Sequence, residues 1–195
     1  MTSKALKHLS KDTVLKKLIN KYPPFDWPKT GDIFTDLVES IINQQLSLAS
    51  AASIYARFKK LFKNSITPKN TLKLTIKQLK SVGLSKQKSS YIQNVATAII
   101  SGSINIKNLH KLKDQQIMDQ LTNIKGIGPW SAHMILMFTL NRPNVFPVGD
   151  LGIRTAMSRL YKLDRENQKA MLKKAENWSP YRTLASRYLW QSLDS

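Results

Sequence analysis

One thirty-residue run, Leu121 to Asp150 (LTNIKGIGPWSAHMILMFTLNRPNVFPVGD), holds the residues best suited to chemistry. Gly126-Ile127-Gly128 separates two segments of helical pattern. Its glycines can accept positive φ and let another backbone approach where a Cβ would block it. Pro129 follows at the favoured first position of a helix. The amides of such a turn and of the helix start converge on one point, an arrangement that holds a phosphate without a dedicated side chain. Asp150 stands 22 residues beyond Gly128, after a loop punctuated by Pro143, Pro147 and Gly149, and is one of only twelve acids in the chain. A carboxylate near a phosphate grip repels the ligand the grip holds, so its position asks for a reason. One reason is capping the following helix, a role Asp fills well. A compatible chemical one is stabilising positive charge that develops on a sugar as its base departs. At ~4 Å and an effective dielectric near 20 that attraction is on the order of 4 kcal/mol, roughly a thousandfold in rate.

Charge points to the same class of ligand. Lys and Arg number 31 against 12 Asp and Glu, a formal charge of +19 in 195 residues, which attracts a polyanion and makes binding fall with salt. The alternative is a solvated basic face. With no cysteine, disulfides, thiolate metal sites and cysteine-ligated iron–sulfur clusters are excluded. His8, His110 and His133 are scattered, which argues against a zinc site of the usual type. No apolar run approaches the ~20 residues of a membrane span, and the charged, amphipathic N-terminus does not read as a signal peptide. A soluble intracellular protein is expected, cytoplasmic in a prokaryote or nuclear in a eukaryote.

The elements that must position these residues all read as helices. A short amphipathic pattern (Val14, Leu15, Leu18, Ile19) ends at the strap YPPFDWP, whose prolines break it. The spacing predicts a helix over about 32–46, with Ile33, Phe34, Leu37, Val38, Ile41 and Ile42 inward. Gln44 and Gln45 continue that stripe with amides, which either satisfy buried backbone or reach into a cleft. Ser47 begins a scaffold helix bearing Ala51, Ile54, Tyr55 and Phe58. Thr67 before Pro68, and then Thr75, fit cap positions, and Gly83 fits a helix stop. The turn through Ser85 and Lys86 feeds a helix whose first turn, with Lys86, Lys88 and Ser89, either engages phosphate or is plainly solvated. A helix over about 114–122 leads into the glycine turn. WSAHMILMFTL is apolar nearly all round and predicts a buried central helix, with His133 a hydrogen-bonded core residue. Beyond Asp150, Ile153, Ala156, Met157 and Leu160 form another inward face. Asp164 is expected to cap a helix carrying Met171, Leu172 and Ala175, and Tyr181 to Leu189 form the last one. No strand-like alternation persists, so the fold is expected to be all-α with about ten helices.

A helix, a Gly-Ile-Gly turn and a second helix make either a plain helix connection or a helix-hairpin-helix, which grips the DNA backbone without reading bases. The run LTNIKGIGPWSAHMILMFTLNRPNVFPVGDLGIRTAM closely resembles the helix-hairpin-helix (HhH-GPD) DNA glycosylases, specifically their 3-methyladenine DNA glycosylase II branch. FTDLVESIINQQLSLASAASIYARF, LKSVGLSKQKSSYI and WSPYRTLASRYLW extend the likeness over most of the chain. The resemblance implies two helical lobes with a DNA-binding cleft between them: a middle lobe over about 32–112, and a hairpin and catalytic lobe over about 113–195 joined by the N-terminal segment. It implies a monomer that excises alkylated bases from duplex DNA in base excision repair.

Carried over by residue, the resemblance makes Asp150 the catalytic acid. Trp130 stands where bifunctional relatives carry a Schiff-base lysine, which implies a monofunctional hydrolase without strand cleavage. Trp130 and Tyr181 match base-pocket positions, where an electron-rich ring stacks on a cationic alkylated purine, and Met134 and Gln45 are expected beside them. Lys125, Gly126, Ile127, Gly128 and Ser131 at the hairpin, with Ser85, Lys86, Lys88 and Arg154, are the expected DNA contacts. No organic cofactor and no side-chain metal site is implied. The hairpin carbonyls of Thr122, Ile124 and Ile127 are expected to hold a monovalent cation. Two positions depart from the pattern: Met134 replaces an aromatic residue, and Lys86 stands about where a relative inserts an apolar wedge. The competing readings are the same fold acting on deaminated or oxidised bases, and a non-catalytic DNA-binding module.

Overall fold

The computed structural model describes residues 3–25, 31–63 and 65–193, and among these no strand occurs. In chain order the helices are α1 (Ser3–Leu9), α2 (Thr13–Lys21), α3 (Ile33–Asn43), α4 (Leu48–Lys59), α5 (Pro68–Thr71), α6 (Ile76–Ser81), α7 (Lys86–Ile100), α8 (Asp114–Thr122), α9 (Pro129–Met134), α10 (Leu151–Tyr161), α11 (Gln168–Glu176) and α12 (Arg182–Gln191). A 3₁₀ turn, Leu109–Lys111, precedes α8, and a π-helical segment, Ile135–Thr139, continues α9.

Side-chain caps set most of the starts. Asp12, Asp32, Ser47, Thr67, Thr75, Ser85, Asp150 and Asn167 each accept an amide from the first turn of the helix they precede, satisfying donors that helix geometry leaves unpaired. Thr75 and Gln78 form a reciprocal capping box. Gly83 ends the α6 turn at φ +100°. Three boundaries differ from expectation. Helix α1, ahead of the first periodic pattern read, forms because Ala5 and Leu9 are buried in a core. Helix α3 stops at Asn43, and Gln45 has a left-handed backbone, φ 55°. Asp164 holds the Glu166 amide in the turn ahead of α11, and Asn167 takes the capping position. Asp26, Trp27 and Pro28 of the expected proline strap lie outside the described residues.

Backbone contacts divide the chain into two compact units, residues 30–140 and residues 1–29 with 141–195. Backbone contacts place the division at 140 rather than at the expected lobe boundary near 112, because α8, α9 and the π segment group with α3 and α7. The core of the 30–140 unit is largely aliphatic, with Phe34 and Phe58 also buried: Leu37, Val38, Ile41 and Ile42 of α3, Ile92, Val95 and Ala96 of α7, and Leu121, Ile127, Ala132 and Leu136 around the hairpin are all buried. Each such large side chain withdrawn from water stabilises by about 1.5–3 kcal/mol. In the other unit, Leu15, Ile153, Met157, Met171, Trp178, Ala185 and Leu189 pack together.

The predicted central helix is continuous but widens near its end, where the Leu140 amide donates to Ile135 O at 2.9 Å. Thr139 Oγ1 donates to Asp36 Oδ2 at 2.7 Å, tying this π turn to α3. Burial raises the Asp36 carboxyl above the usual range, against the lowering effect of the Thr139 bond.

Candidate functional site

The hairpin is assembled from backbone bonds and two amide side chains. Helix α8 ends at Thr122, the Ile127 amide closes the turn on Ile124 O at 2.9 Å, and Ala132 N reaches Gly128 O at 3.1 Å in the first turn of α9. The two glycines do different work. Gly126 has φ +113°, and a Cβ there would lie 2.3 Å from Cγ of Tyr91, so only glycine lets α7 pack this closely on the turn. Gly128 has an ordinary φ of −98°, and nothing lies within 4 Å of where its Cβ would be. The space expected for an incoming backbone is therefore at Gly128.

Gln44 Nε2 donates to Gly126 O at 3.0 Å, and Asn94 Nδ2 donates to Lys125 O at 3.0 Å. Gln44 thus satisfies backbone from the end of α3. Lys88 takes part in the same scaffold: its Nζ donates to Ile42 O at 2.9 Å and Gln44 O at 2.7 Å. A cation on the last carbonyls of a helix is favourable, and burial lowers the Lys88 pKa. Lys88 thus caps α3 from within the fold, with one N–H of its ammonium left over beyond these two bonds.

The expected cation site can be tested by its donors. Carbonyl oxygens of a tight turn are hard and neutral, which suits a weakly charged hard ion rather than a transition metal. Ile124 O already accepts the Ile127 amide, and a carbonyl retains a second lone pair. The donor set of Thr122, Ile124 and Ile127 fits such an ion. Among the described residues no cluster of three or more His, Asp or Glu forms a conventional metal site.

Asp150 caps α10 and is also held from the side. Its Oδ1 accepts the Ile153 amide at 2.8 Å and the indole Nε1–H of Trp190 at 2.8 Å. Gly152 makes room for this pairing, since a Cβ there would lie 3.0 Å from both Asp150 Oδ1 and Trp190 Cδ1. Trp190 was not singled out in the sequence. Its only signal was its place, forty residues on, at the end of the family-like segment WSPYRTLASRYLW. Tyr91 and Asn94, which shape the hairpin from α7, were likewise missed.

The remaining expected residues divide between the two units. Trp130, Met134 and Gln45 belong to the unit with the hairpin, and Tyr181 and Arg154 to the unit with Asp150. Trp130 and Met134 are half-buried and Gln45 is exposed. Tyr181 meets His8 edge to face at a centroid distance of 5.5 Å. Lys125 and Lys86 are exposed, and Ser85 caps α7 through the Lys88 amide at 3.1 Å. Two expected DNA contacts have partners or packing within the fold. Ser131 is 1% exposed, inside the α9 packing face. Arg154 Nη1 pairs with Glu166 at 2.7 Å and its side chain is 18% exposed. His133 is half-buried, with a pKa lowered by burial, in keeping with a core residue.

Comparison with known proteins converges on one group. The profile of the HhH-GPD superfamily, base excision DNA repair proteins, matches residues 38–180. DNA-3-methyladenine glycosylase 1 of Schizosaccharomyces pombe is 34% identical over 182 residues, covering 91% of this chain and 80% of that protein. The structure of the 3-methyladenine DNA glycosylase from that yeast in complex with abasic DNA superposes with a TM-score of 0.90 at 32% identity, covering 99% of this chain and 98% of the other. A DNA-3-methyladenine glycosidase from Bacillus halodurans gives a TM-score of 0.86 at 31% identity, covering 98% and 89%.

Proposed function

Because this chain belongs to the HhH-GPD superfamily of base excision DNA repair proteins, we propose that it is a monofunctional DNA glycosylase that hydrolyses the N-glycosidic bond of alkylated purines, of the 3-methyladenine and 7-methylguanine type, in duplex DNA. The observation that carries the reading is the anchorage of Asp150, whose Oδ1 takes both the Ile153 amide and the Trp190 indole N–H. A carboxylate fixed by two donors acts as a preorganised negative charge rather than a mobile one.

The chemistry needs little else. A purine made cationic by alkylation leaves with the bonding electron pair as a neutral base, so no general acid has to protonate it. Positive charge collects on C1′ and the ring oxygen, where the Asp150 carboxylate stabilises it. Water then adds to C1′ and gives up its proton to the medium. Extraction of the base from the duplex precedes these steps, and the hairpin amides around Gly128 hold the strand backbone while it happens. A monovalent cation on the carbonyls of Thr122, Ile124 and Ile127 would add positive charge to that grip. The roles of Trp130, Met134 and Tyr181 at the base rest on the family resemblance, as does the absence of lyase chemistry, with Trp130 in the place of a lysine.

The test is release of free base from duplex DNA methylated with a simple alkylating agent. The expected products are 3-methyladenine or 7-methylguanine and an intact strand carrying an abasic site. Base release confined to deaminated or oxidised duplexes would overturn the substrate class. Lesion-independent binding with no release would overturn the enzyme.

A further inference from the structure

A second charged surface lies on the hairpin-bearing unit. Between Glu39 and Asp114 the chain has no acidic residue at all, while it carries thirteen lysines and arginines. Several of these are occupied. Lys88 caps α3, and Arg57 donates to Val82 O and Ser53 Oγ. Lys77, Lys80 and Lys86 are different: all three are exposed, and they line one open depression of about 590 Å³ with Ile76 and Ser81. Among the described residues none of the three has an ion-pair partner. Lys77 and Lys80 are three apart on α6 and so share a face, and Lys86 opens α7.

We propose that this α6–α7 corner is a second phosphate-binding surface for the backbone of duplex DNA, with Lys77 and Lys80 as contacts in addition to Lys86. Three like charges around an open depression repel one another and are relieved by a polyanion. Helix α7 fixes the distance to the first grip. Lys86 begins the helix, while Tyr91 packs against Gly126 and Asn94 bonds Lys125 O further along it. Eight residues from Lys86 to Asn94 rise about 12 Å, or three to four nucleotide steps at about 3.4 Å each. A separation of that size lies within the reach of a single duplex. Lysine suits the task because it offers a point charge to phosphate and does not need the planar geometry of a base edge.

The proposal rests on DNA being the partner, and the experiment separates the two. The salt dependence of binding to an undamaged duplex is measured by fluorescence anisotropy for wild type, for Lys77→Gln/Lys80→Gln, and for Lys169→Gln/Lys173→Gln on α11, which removes the same net charge. Each lost phosphate contact lowers the slope of log K against log salt by about 0.9. The α6 double variant should lower it by about two, so that its affinity changes about tenfold less than wild type between 50 and 200 mM salt, by the same relation. The α11 variant should keep the wild-type slope. An unchanged slope in the α6 variant, or an equal drop in both variants, overturns the proposal while leaving the glycosylase reading intact. Absence of duplex binding by the wild-type protein overturns both.

Discussion

Replacing Trp190 by Phe tests whether the acid must be held as well as present. The substitution keeps an aromatic ring at the position but deletes the N–H that donates to Asp150 Oδ1 at 2.8 Å. Ile153 N still donates to the same oxygen at 2.8 Å, so the carboxylate remains capped but loses its lateral restraint. A hydrogen bond to a charged group contributes about 1.5–3 kcal/mol. If that energy serves orientation in the transition state, the rate falls by roughly 10- to 100-fold. The assay is single-turnover base release from methylated duplex at saturating protein, with duplex affinity measured in parallel. The expected pattern is a slower chemical step at unchanged affinity. Gly152→Ala should act in the same direction, because its Cβ would lie 3.0 Å from the two partners. A wild-type release rate in Trp190→Phe would refute the claim that this bond prepares the acid.

The two hairpin glycines should separate cleanly. Gly126→Ala is expected to destabilise the fold by more than about 2 kcal/mol through its strained φ and the Tyr91 clash, read by urea unfolding, whereas Gly128→Ala should keep stability and lose duplex affinity. Lys88→Gln is expected to lower stability without changing the salt slope of binding, since its ammonium group sits on Ile42 O and Gln44 O. Asp12 takes Val14 N, Leu15 N and Tyr161 Oη on Oδ1, and Trp178 Nε1 and Lys174 Nζ on Oδ2. Burial pushes its pKa up, but the bonds from Lys174, Leu15, Trp178 and Tyr161 outweigh it and hold it below 3.8. The stability this gives is present above that pH and lost as pH falls through the lower folded value. Asp12→Asn should therefore cost about 1–3 kcal/mol at pH 7 and flatten the acid limb of the stability curve below pH 3.8.

What was legible in the sequence followed physical locality. Helical periodicity and Ser, Thr and Asp caps are local signals, so α4, α5, α6 and α7 begin where Ser47, Thr67, Thr75 and Ser85 indicate. The hairpin was legible for the same reason, with its glycines and Pro129 adjacent in the chain. The partners of these residues were not. Trp190 reaches Asp150 across forty residues, Gln44 reaches Gly126 across 82, and Lys88 reaches Ile42 across 46, and no periodicity encodes such pairs. Charge says nothing of the partners inside the fold: Lys88 and Arg154, expected from the sequence to meet phosphate, also cap a helix and pair with Glu166. Long cationic side chains serve backbone carbonyls and carboxylates as readily as phosphates. Sequence alone does not say which one lies within reach.

In the proposed reaction the Asp150 carboxylate drives departure of the base. The most direct measurement compares single-turnover release of 3-methyladenine or 7-methylguanine from methylated duplex by wild type and Asp150→Asn. Asparagine retains an oxygen to cap α10 and removes the negative charge. A loss of roughly a thousandfold in rate with the protein still folded and bound is expected, from the ~4 kcal/mol attraction of a carboxylate about 4 Å from the developing charge. Release at the wild-type rate by Asp150→Asn would contradict the account.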